Sequence, residues 1–472
     1  MILSLIAGAL ALINSCVFEK MDEKNLPGSP ELNAQPAQEE IIAFPGAVGF
    51  GRFAQGGRFG KVYHVSNLND AGIGSFRDAV SEPNRIVVFD VSGVVVLKSE
   101  VRCSYNLTVA GQTAPGEGIM IYGHGVNTSD SKNSIFRYLR VRMGDQNGAG
   151  QRDAMGQANS KNTIYDHMSV MWGRDENFSI NWYKVNPDEP GNITIQNSII
   201  GQGLQTHSCG GLIFSEVGIT LYRNLYIDNK TRNPKAGGVN QYINNVVYNW
   251  SAGGGYIFGA QADSVSGWGE IRNNYLIWGP AGATPPFTRG TPTFHVYASG
   301  NFFDDNRNGI LDGRLCTQED YGDITWISSP GFWDTLEEHN PAKIPFKHPK
   351  IPNVVAAKDA LFWIVDSVGA VFPKRDLFDQ YVIEELKSFG KKGVLINSET
   401  EIPYKVLGSL NDGLKPLDSD NDGIPDAWEK ENKLNPNHPA DAMNIASNGY
   451  TNLENYINRL TTKKQATPIT VL

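Results

Sequence analysis

The chain has 472 residues, of which 50 are glycine, 19% are charged and 40% are hydrophobic. This apolar content, with 10% aromatic residues, is too high for a disordered chain. The formal net charge of −9 at pH 7 argues against a protein that holds nucleic acid through its phosphates. No apolar run reaches the roughly 20 residues that a membrane-spanning helix needs. The composition therefore predicts a soluble, glycine-rich and mainly β-structured protein.

The N-terminus resembles an export signal of the bacterial lipoprotein type. Residues 2–13 are almost wholly apolar, and small residues lead from them to Cys16. We therefore predict a signal peptide over residues 1–16, with Cys16 carrying lipid after cleavage. Residues 17–40 hold six acidic residues and three prolines, which predicts a disordered tether. These features indicate an exported protein that is held at the cell surface or outer membrane, or secreted.

Three cysteines follow this segment. Cys103, Cys209 and Cys316 are an odd number, so at least one stays outside any disulfide. Burial as small apolar side chains is the favoured interpretation of all three.

From about residue 41 the chain changes to short β-type runs broken by Gly, Asn and Pro. An asparagine followed by a short, largely apolar run recurs at intervals of 21 to 29 residues. The series is Asn197, Asn224, Asn245, Asn274 and Asn301. Runs beginning at His167 and Tyr138 extend the same spacing upstream.

A period of this length without a helix predicts the coils of a parallel β-helix. A propeller needs about 40–45 residues per blade, and sandwich turns follow about every 8–12 residues, so both fit less well. The repeated asparagine can satisfy backbone groups at a bend and bond to its copy on the next coil. We therefore predict an all-β solenoid over residues 41–345.

The C-terminal part differs in pattern. Residues 357–368 and 377–388 are helix-like and predict a short helical extension over residues 346–416. A distinct acidic module with a polar tail is predicted over residues 417–472.

The acidic module contains a complete calcium-loop pattern. Residues 418–429 place acids at template positions 1, 3, 5, 9 and 12, and glycine at position 6. The acids are Asp418, Asp420, Asp422, Asp426 and Glu429. Hard oxygens at alternate residues can wrap one Ca²⁺, so we predict a structural calcium site; a solvated linker is the alternative. Residues 304–312 match only the front of the pattern, and a solenoid turn explains them equally well.

Charged residues that could carry chemistry recur at coil-sized spacing, which in a solenoid places them on one face. Acids pair there with basic residues one or two coils away, so a cation, its acidic ligands and a strong cationic donor would meet. The candidates are Asp153, Arg174, Asp175, Glu176, Arg232 and Lys235.

Three stretches resemble polysaccharide lyase family 1, the extracellular pectate lyases. Residues 44–90 are similar to the family's first coil, and residues 153–167 match its Asp-Ala…Trp-x-Asp-His signature with Tyr165 in place of the more usual hydrophobic residue. Residues 232–234 match the front of its Arg-x-Pro-x-x-Arg motif. The helical stretch and the calcium module resemble parts of bacterial members, so the resemblance covers residues 44–460. It implies a right-handed parallel β-helix.

The resemblance also implies a catalytic Ca²⁺. Asp153 and Asp175 stand at calcium ligands of the family, whereas two other acidic positions hold Gln151 and Ser179 here. Glu176 is our candidate for supplying the negative charge that Gln151 and Ser179 lack. A shell with fewer carboxylates should bind Ca²⁺ less tightly, so a substrate carboxylate would have to complete it.

Arg232 stands at the position of the family's catalytic base. The second arginine of the motif is absent, so Lys235 or Arg174 is expected to hold a substrate carboxylate, and His207 is a further candidate. Guanidinium normally stays protonated in proteins. Either a cationic surrounding makes the neutral form of Arg232 accessible, or Arg232 stabilises the developing charge.

Asp166 and His167 belong to the matching signature. By the resemblance they lie next to the site and hold loops, and we expect His167 to pack or to form a hydrogen bond rather than to act on substrate.

The implied reaction is a Ca²⁺-assisted β-elimination in α-1,4-galacturonan, which gives 4,5-unsaturated oligogalacturonides. Polygalacturonate or pectin is the expected partner of a monomer. A polygalacturonase would need two carboxylates spaced around water, which the adjacent Asp175 and Glu176 provide poorly. A pectin lyase would not need Asp153. A non-catalytic, surface-anchored pectin-binding protein is compatible with Gln151 and Ser179.

Overall fold

The computed structural model describes residues 41–145, 150–181, 191–259, 267–322, 324–326 and 348–462. The predicted signal peptide, Cys16 and the tether lie outside the described residues, as does the tail from residue 463. Within the described ranges, no helix has the length and apolar character needed to cross a bilayer.

Short parallel strands wind into three sheets, named I, II and III in the order in which each coil visits them. Sheet I contains β1 (Lys61–Val65), β2 (Arg85–Phe89), β5 (Leu107–Ala110), β8 (Ile135–Arg137), β11 (Lys161–Asp166), β14 (Gly191–Gln196), β21 (Gly267–Arg272), β24 (Phe294–Ser299) and β27 (Thr325–Trp326). Sheet II contains β3 (Gly93–Val96), β6 (Ile119–Tyr122), β9 (Arg140–Arg142), β12 (Ser169–Met171), β15 (Ile199–Gly201), β17 (Leu225–Ile227), β19 (Val246–Tyr248), β22 (Tyr275–Ile277), β25 (Phe302–Asp304) and the antiparallel β26 (Arg314–Leu315).

Sheet III lies between sheet II and the next coil of sheet I. It contains β4 (Val101–Arg102), β7 (Val126–Asn127), β10 (Met155–Ala158), β13 (Phe178–Asn181), β20 (Tyr256–Phe258) and β23 (Phe287–Thr288). Two longer strands, β16 (Leu212–Tyr222) and β18 (Lys235–Ile243), pass from sheet III into sheet I. The predicted parallel β-helix is thereby confirmed.

The turns from sheet I to sheet II contain two adjacent rows of equivalent residues. The first row has positive φ and includes Tyr138, His167, Asn197, Arg223, Asn244, Asn273 and Gly300. The second row is an asparagine ladder, in which the backbone N–H of Asn224, Asn245 and Asn274 each donates to the side-chain oxygen of the next asparagine at 2.8–3.0 Å. Asn301 ends this ladder.

The predicted ladder is thus correct for four of its five members. Asn197 belongs to the positive-φ row, and its amide donates to Asp166 Oδ1 at 2.9 Å. Ser198 occupies the ladder position on that coil, where its N–H donates to Asn224 Oδ1 at 3.0 Å. The offset of one residue is invisible in the sequence because an asparagine suits both the bend and the ladder.

The interior of the solenoid is apolar and stacks equivalent side chains from coil to coil. The rings of Phe136 and Tyr165 lie 5.2 Å apart and almost parallel, and Phe178 meets Tyr165 edge-on at 4.9 Å. Such offset stacks add to the free energy gained by burying the rings.

Two helices cover sheet II. They are α2 (Ala357–Ser367) and α3 (Leu377–Leu386), close to the predicted stretches. Arg142 of sheet II pairs with Asp376 at 2.9 Å and with Asp379 at 2.8 Å, and all three side chains are buried. These paired charges and the apolar cluster beneath the helices fasten the extension to the solenoid.

Sheet I is covered by both ends of the described chain. Residues 44–51, predicted as part of the first coil, lie across the outer face of sheet I, where Val48 N–H donates to Gln196 Oε1 at 3.1 Å. Helices α4 (Asp426–Asn432) and α5 (Asn452–Thr462) belong to the segment that covers β1 and β2. A short helix, α1 (Phe76–Ala79), joins β1 to β2.

Candidate active site

Successive turns before the strands of sheet III bring the predicted acids together. The parallel register of β10 and β13 places Asp153 beside Glu176. Single backbone bridges then link Glu176 to Cys209, and Cys209 to Thr231, the residue before Arg232. Residues far apart in sequence therefore form one column along the solenoid.

Three acids form a tight cluster at this column. Carboxylate oxygens of Asp153, Asp175 and Glu176 lie within 4.8 Å of one another. The backbone N–H of Glu176 donates to Asp153 Oδ1 at 3.2 Å. A Cβ at Gly156 would lie 3.1 Å from Asp153 Oδ2, so glycine leaves room for this carboxylate. Hard oxygens this close together suit a calcium ion.

Burial and mutual repulsion disfavour negative charge in the cluster. Burial raises the pKa of Asp153, and the charge of Asp175 adds to the effect. Burial, followed by the charges of Asp153 and Asp175, raises the pKa of Glu176 to about 8. A cation held by these oxygens would remove the repulsion.

The guanidinium of Arg232 contacts the carboxylate of Glu176 through Nη1. Burial opposes the charge of Arg232, but Cys209, Glu176 and Asp175 outweigh it and raise the pKa of this arginine. The cationic surrounding expected from Ca²⁺ and Lys235 stays a prediction, and among the described residues the acidic groups outweigh burial at the guanidinium. They hold Arg232 in its charged form.

Lys235 opens β18, in the same electrostatic environment as Arg232. Burial, followed by the charges of Arg232 and Arg289, lowers the pKa of Lys235. Arg289, which was not among the predicted site residues, follows β23 on a later coil and adds a third cation to this end of the site. No motif marked it, because its neighbourhood depends on the lengths of the coils between.

The remaining substrate-binding candidates lie on turns next to the cluster. His207 Nε2 lies 3.0 Å from Asp175 Oδ1, so the structure brings this predicted residue to the acids. Arg174 precedes Asp175, and its backbone N–H donates to the carbonyl oxygen of Arg152 at 3.0 Å.

A cavity of about 290 Å³ opens on sheet III beside the acids. Its lining residues are Glu100, Val126, Asn127, Ser129, Gln151, Arg152, Asp153, Gly156, Gln157, Ala158, Asp175 and Asn181. Gln151 therefore faces the same space as Asp153. The Ser179 hydroxyl hydrogen-bonds with the Asp153 carboxylate and also accepts from Leu212 N–H at 3.3 Å.

Several proteins of similar sequence come from fungi and are named probable pectate lyase C. The chain is 46% identical over 420 residues to a probable pectate lyase C of Aspergillus flavus, covering 89% of this chain and 94% of that protein. Its identity to a probable pectate lyase C of Emericella nidulans is 43% over 423 residues, covering 89% and 93%. The chain belongs to the pectate lyase family. No family model matches it.

Solved structures give more distant matches. A pectate lyase bound to a hexasaccharide is 13% identical, with a TM-score of 0.48, covering 70% of this chain and 98% of that one. The major allergen from cedar pollen is 16% identical, with a TM-score of 0.46, covering 69% and 93%. Family membership confirms the prediction of a pectate lyase, but these fungal relatives lend no support to its bacterial lipoprotein form.

Cys209 lies at the candidate site, although the sequence predicted only its burial. Its side chain is buried, and its Sγ, a His207 nitrogen and a Glu176 oxygen lie within 4.8 Å of one another. Burial raises the pKa of the Cys209 thiol to about 12. Cys103 is likewise buried, whereas Cys316 is partly exposed.

Asp166 and His167 lie at a different corner of the solenoid from the acid cluster. Asp166 ends β11 and His167 begins the turn from sheet I to sheet II, whereas the acids precede sheet III, so the expectation that they flank the site is corrected. Their structural role agrees with the prediction. Asp166 accepts from Arg137 Nε at 2.9 Å, and the His167 ring stacks on Tyr138 at 4.6 Å.

The acids of the predicted calcium loop also converge. Ligand atoms of Asp418, Asp420 and Asp422 lie within 4.8 Å of one another. Asp422 forms a second such group with Glu429 and with Asp441, which the loop pattern does not include. The two groups share Asp422 and therefore make one candidate metal centre.

Asp426 is the exception among the predicted ligands of this loop. Its carboxylate accepts hydrogen bonds from Ser419 N–H at 2.8 Å and from the Ser419 hydroxyl at 2.9 Å. It lies outside both groups of converging acids, because it closes the turn before α4 instead. Burial raises the pKa of Asp422 and of Glu429 to about 7, with neighbouring carboxylates adding to the effect.

The second candidate loop, residues 304–312, has the geometry of a solenoid turn. The amides of Asn306 and Asn308 donate to the carboxylate of Asp312 at 2.7 and 2.9 Å, and Asn308 Oδ1 accepts from Ile310 N–H at 2.7 Å. The asparagine oxygens thus serve the backbone of the turn.

Proposed function

We propose that the chain cleaves pectate, the α-1,4-linked polymer of galacturonate, by a calcium-dependent β-elimination. The observation that carries this proposal is the cluster of Asp153, Asp175 and Glu176, with Arg232 in contact with it, beside an open cavity. The products would be 4,5-unsaturated oligogalacturonides. Membership of the pectate lyase family supports the same reaction.

The acid cluster fits Ca²⁺ in its donor chemistry. Its three carboxylates are hard oxygen donors, and burial makes their negative charges costly unless a cation balances them. When bound there, Ca²⁺ would neutralise a uronate carboxylate and thereby make the adjacent C5 proton more acidic. Gln151 lines the same cavity and can offer an amide oxygen in place of an acid.

We assign to Arg232 the role of acting at C5, the carbon that loses its proton. The family resemblance makes it the base for the C5 proton. Its contact with Glu176 holds the guanidinium at the edge of the acid cluster, so it also lies where negative charge would develop on the sugar. Glu176 and Asp175 keep this arginine charged, and both are also proposed to bind Ca²⁺. The pKa of Arg232 should therefore depend on whether Ca²⁺ is bound.

Lys235, His207 and Arg174 are proposed to hold uronate carboxylates of the polymer. Lys235 is the best placed for this role, since it shares the environment of Arg232 and its ammonium can move on a flexible stem. His207 can bind an anion only if it turns away from Asp175. Local cations of this kind are needed because the chain as a whole carries net charge −9.

The decisive experiment is an ultraviolet assay of polygalacturonate with the purified chain. We expect absorbance of an unsaturated product with added Ca²⁺ and its loss with a chelator. New reducing ends without ultraviolet absorbance would identify a hydrolase, as in a polygalacturonase. Retention on polygalacturonate without cleavage would identify a non-catalytic pectin-binding protein.

Export is proposed on the basis of the apolar N-terminus and the acidic segment that follows it. Anchoring through a lipid on Cys16 is the more specific form of this proposal. Secretion without an anchor is the alternative, and both place the enzyme outside the cell with its polymeric substrate.

A further inference from the structure

The candidate metal centre of the acidic module holds buried oxygens that lack partners. Glu429 is fully buried and Asp422 is 3% exposed. Seven carboxylate oxygens there have no hydrogen-bond partner among the described residues; they are Asp418 Oδ1, Asp420 Oδ1 and Oδ2, Asp422 Oδ2, Glu429 Oε1 and Oε2, and Asp441 Oδ1. Buried carboxylates without partners are strongly destabilising, so this arrangement calls for a bound cation.

Asp441 comes from outside the loop and closes it from the other side. It lies beyond α4, at the start of a short 3₁₀ turn, Asp441–Met443. Its Oδ2 accepts from Asn435 N–H at 2.9 Å, which leaves Oδ1 facing the acids. A cation at this centre would therefore connect the loop to the segment after α4.

The same loop rests directly on the first coils of the β-helix. The carbonyl oxygen of Asn421 lies 3.2 Å from His64 Nε2 on β1. A Cβ at Gly423 would lie 3.1 Å from Val62, and the φ of +90° at Gly423 also favours glycine. Ile424 is fully buried in an apolar cluster that includes Ile86 of β2.

The rest of the module extends this contact. Leu453 and Ile457 of α5 belong to the same apolar cluster as β2. Arg58 Nε pairs with Glu454 at 2.8 Å, in a position that is largely buried on both sides. Arg137 on sheet I donates to Asn458 Oδ1 at 3.0 Å.

We infer that Ca²⁺ bound by Asp418, Asp420, Asp422, Glu429 and Asp441 acts as a clasp that holds residues 417–462 on the outer face of sheet I. Without the cation, repulsion among the five acids opens the loop. Asn421, Gly423 and Ile424 then leave β1 and β2, and the apolar outer face of these strands meets water. This role is independent of the proposed catalysis.

The binding test uses the full chain, freed of metal by a chelator and titrated with Tb³⁺. Trp428, which directly precedes Glu429, serves as the luminescence sensitiser. We expect Asp441→Asn to weaken Tb³⁺ binding by at least about 10-fold, as loss of a charged ligand should. The matched control is Asp426→Asn, which removes an acid of the loop pattern that the structure excludes from the centre and should leave affinity unchanged. Equal affinities of wild type and Asp441→Asn would overturn the ligand assignment.

The clasp itself is tested by hydrogen exchange at saturating Ca²⁺. In Glu429→Gln we expect faster exchange of the β1 and β2 amides, with that of β12 and β15 unchanged because these strands lie away from the module. Chelation of the wild type should speed exchange in β1 and β2 in the same way. This second measurement tests the clasp even if Glu429→Gln fails to fold. Unaltered protection of β1 and β2 after chelation would overturn the clasp.

Discussion

The guanidinium of Arg232 lies on the carboxylate of Glu176, although 56 positions separate the two residues in the chain. The coil that carries Cys209 lies between them and is bridged to both neighbouring coils. The stacking of these coils, rather than any local sequence, sets the contact. It directs Arg232 to the acid cluster.

Arg232→Lys should separate chemistry from substrate binding. The variant keeps a positive charge but loses the planar guanidinium, so we expect the fold and most substrate binding to remain. Turnover of polygalacturonate should fall by at least about 10²-fold, the typical worth of a general base or of charge stabilisation. Arg459→Lys, a surface change in α5, is the control and should retain full activity. Full activity of Arg232→Lys would transfer the role to another group, with Lys235 and His207 the next candidates.

Asp153→Asn should raise the Ca²⁺ concentration that the enzyme needs, without impairing the chemical step. It removes one charge from a cluster in which Gln151 and Ser179 already replace acids, so we expect the Ca²⁺ concentration for half-maximal activity to rise about 10-fold. Activity should recover largely at saturating Ca²⁺. Glu100→Gln provides a matched control, since Glu100 lines the same cavity but lies outside the cluster. An unchanged calcium requirement in Asp153→Asn would exclude this residue as a ligand.

Asp228 and Glu385 should make stability depend on pH. Asp228 is fully buried and accepts from Asn249 Nδ2 at 2.6 Å, and burial, followed by Glu385, raises its pKa well above the ordinary value. Burial also raises the pKa of Glu385, beside Tyr381 and Lys392. The folded state therefore binds more protons than the unfolded state, so stability falls as pH rises above the ordinary range of carboxyl pKa values.

Asp228→Asn should remove much of this dependence. The amide oxygen can still accept from Asn249, and no charge has to be buried at position 228. We expect thermal melts to show a larger gain in melting temperature at pH 8 than at pH 5. A gain that is equal at both pH values would show that Asp228 is not the titrating group.

Asn274→Ala should weaken the asparagine ladder. The Asn274 side chain accepts from Asn245 N–H at 2.8 Å and donates to the carbonyl oxygen of Tyr242 at 2.8 Å, and it is fully buried. The substitution leaves the Asn245 N–H and the Tyr242 carbonyl oxygen without this hydrogen-bond partner. We expect it to lower the free energy of unfolding, measured by denaturant titration, by about 1–3 kcal/mol. Asn448→Ala, at an exposed turn, should change it by less than about 0.5 kcal/mol. Similar losses in both variants would argue against a special role for the ladder.

Cys16→Ser tests the predicted lipid anchor. If Cys16 carries lipid, the parent protein should partition with membranes and require detergent, whereas the variant should remain soluble or unprocessed. Fractionation of expressing cells followed by immunoblotting measures the difference. Identical partitioning of the two proteins would leave secretion as the route of export.

The sequence alone determined the solenoid and the identity of its central charged residues. The spacing of Asn224, Asn245, Asn274 and Asn301 is the length of one coil, and a coil is a local unit whose bends select asparagine by local hydrogen bonding. Asp153, Asp175 and Arg232 could be singled out because residues at coil-sized spacing lie on one face of a solenoid.

Only the tertiary structure decided which side chains meet. The coils differ in length, so the packing of the whole stack decides which residues become neighbours. It brings Cys209 beside Glu176, and it places Asn197 one position away from the asparagine ladder. Asp441 joins the acids of the calcium loop because α4 turns the chain back on itself, while Ser419 takes Asp426 away from them. Burial and repulsion at both acid clusters are properties of such long-range contacts, and a linear pattern does not contain them.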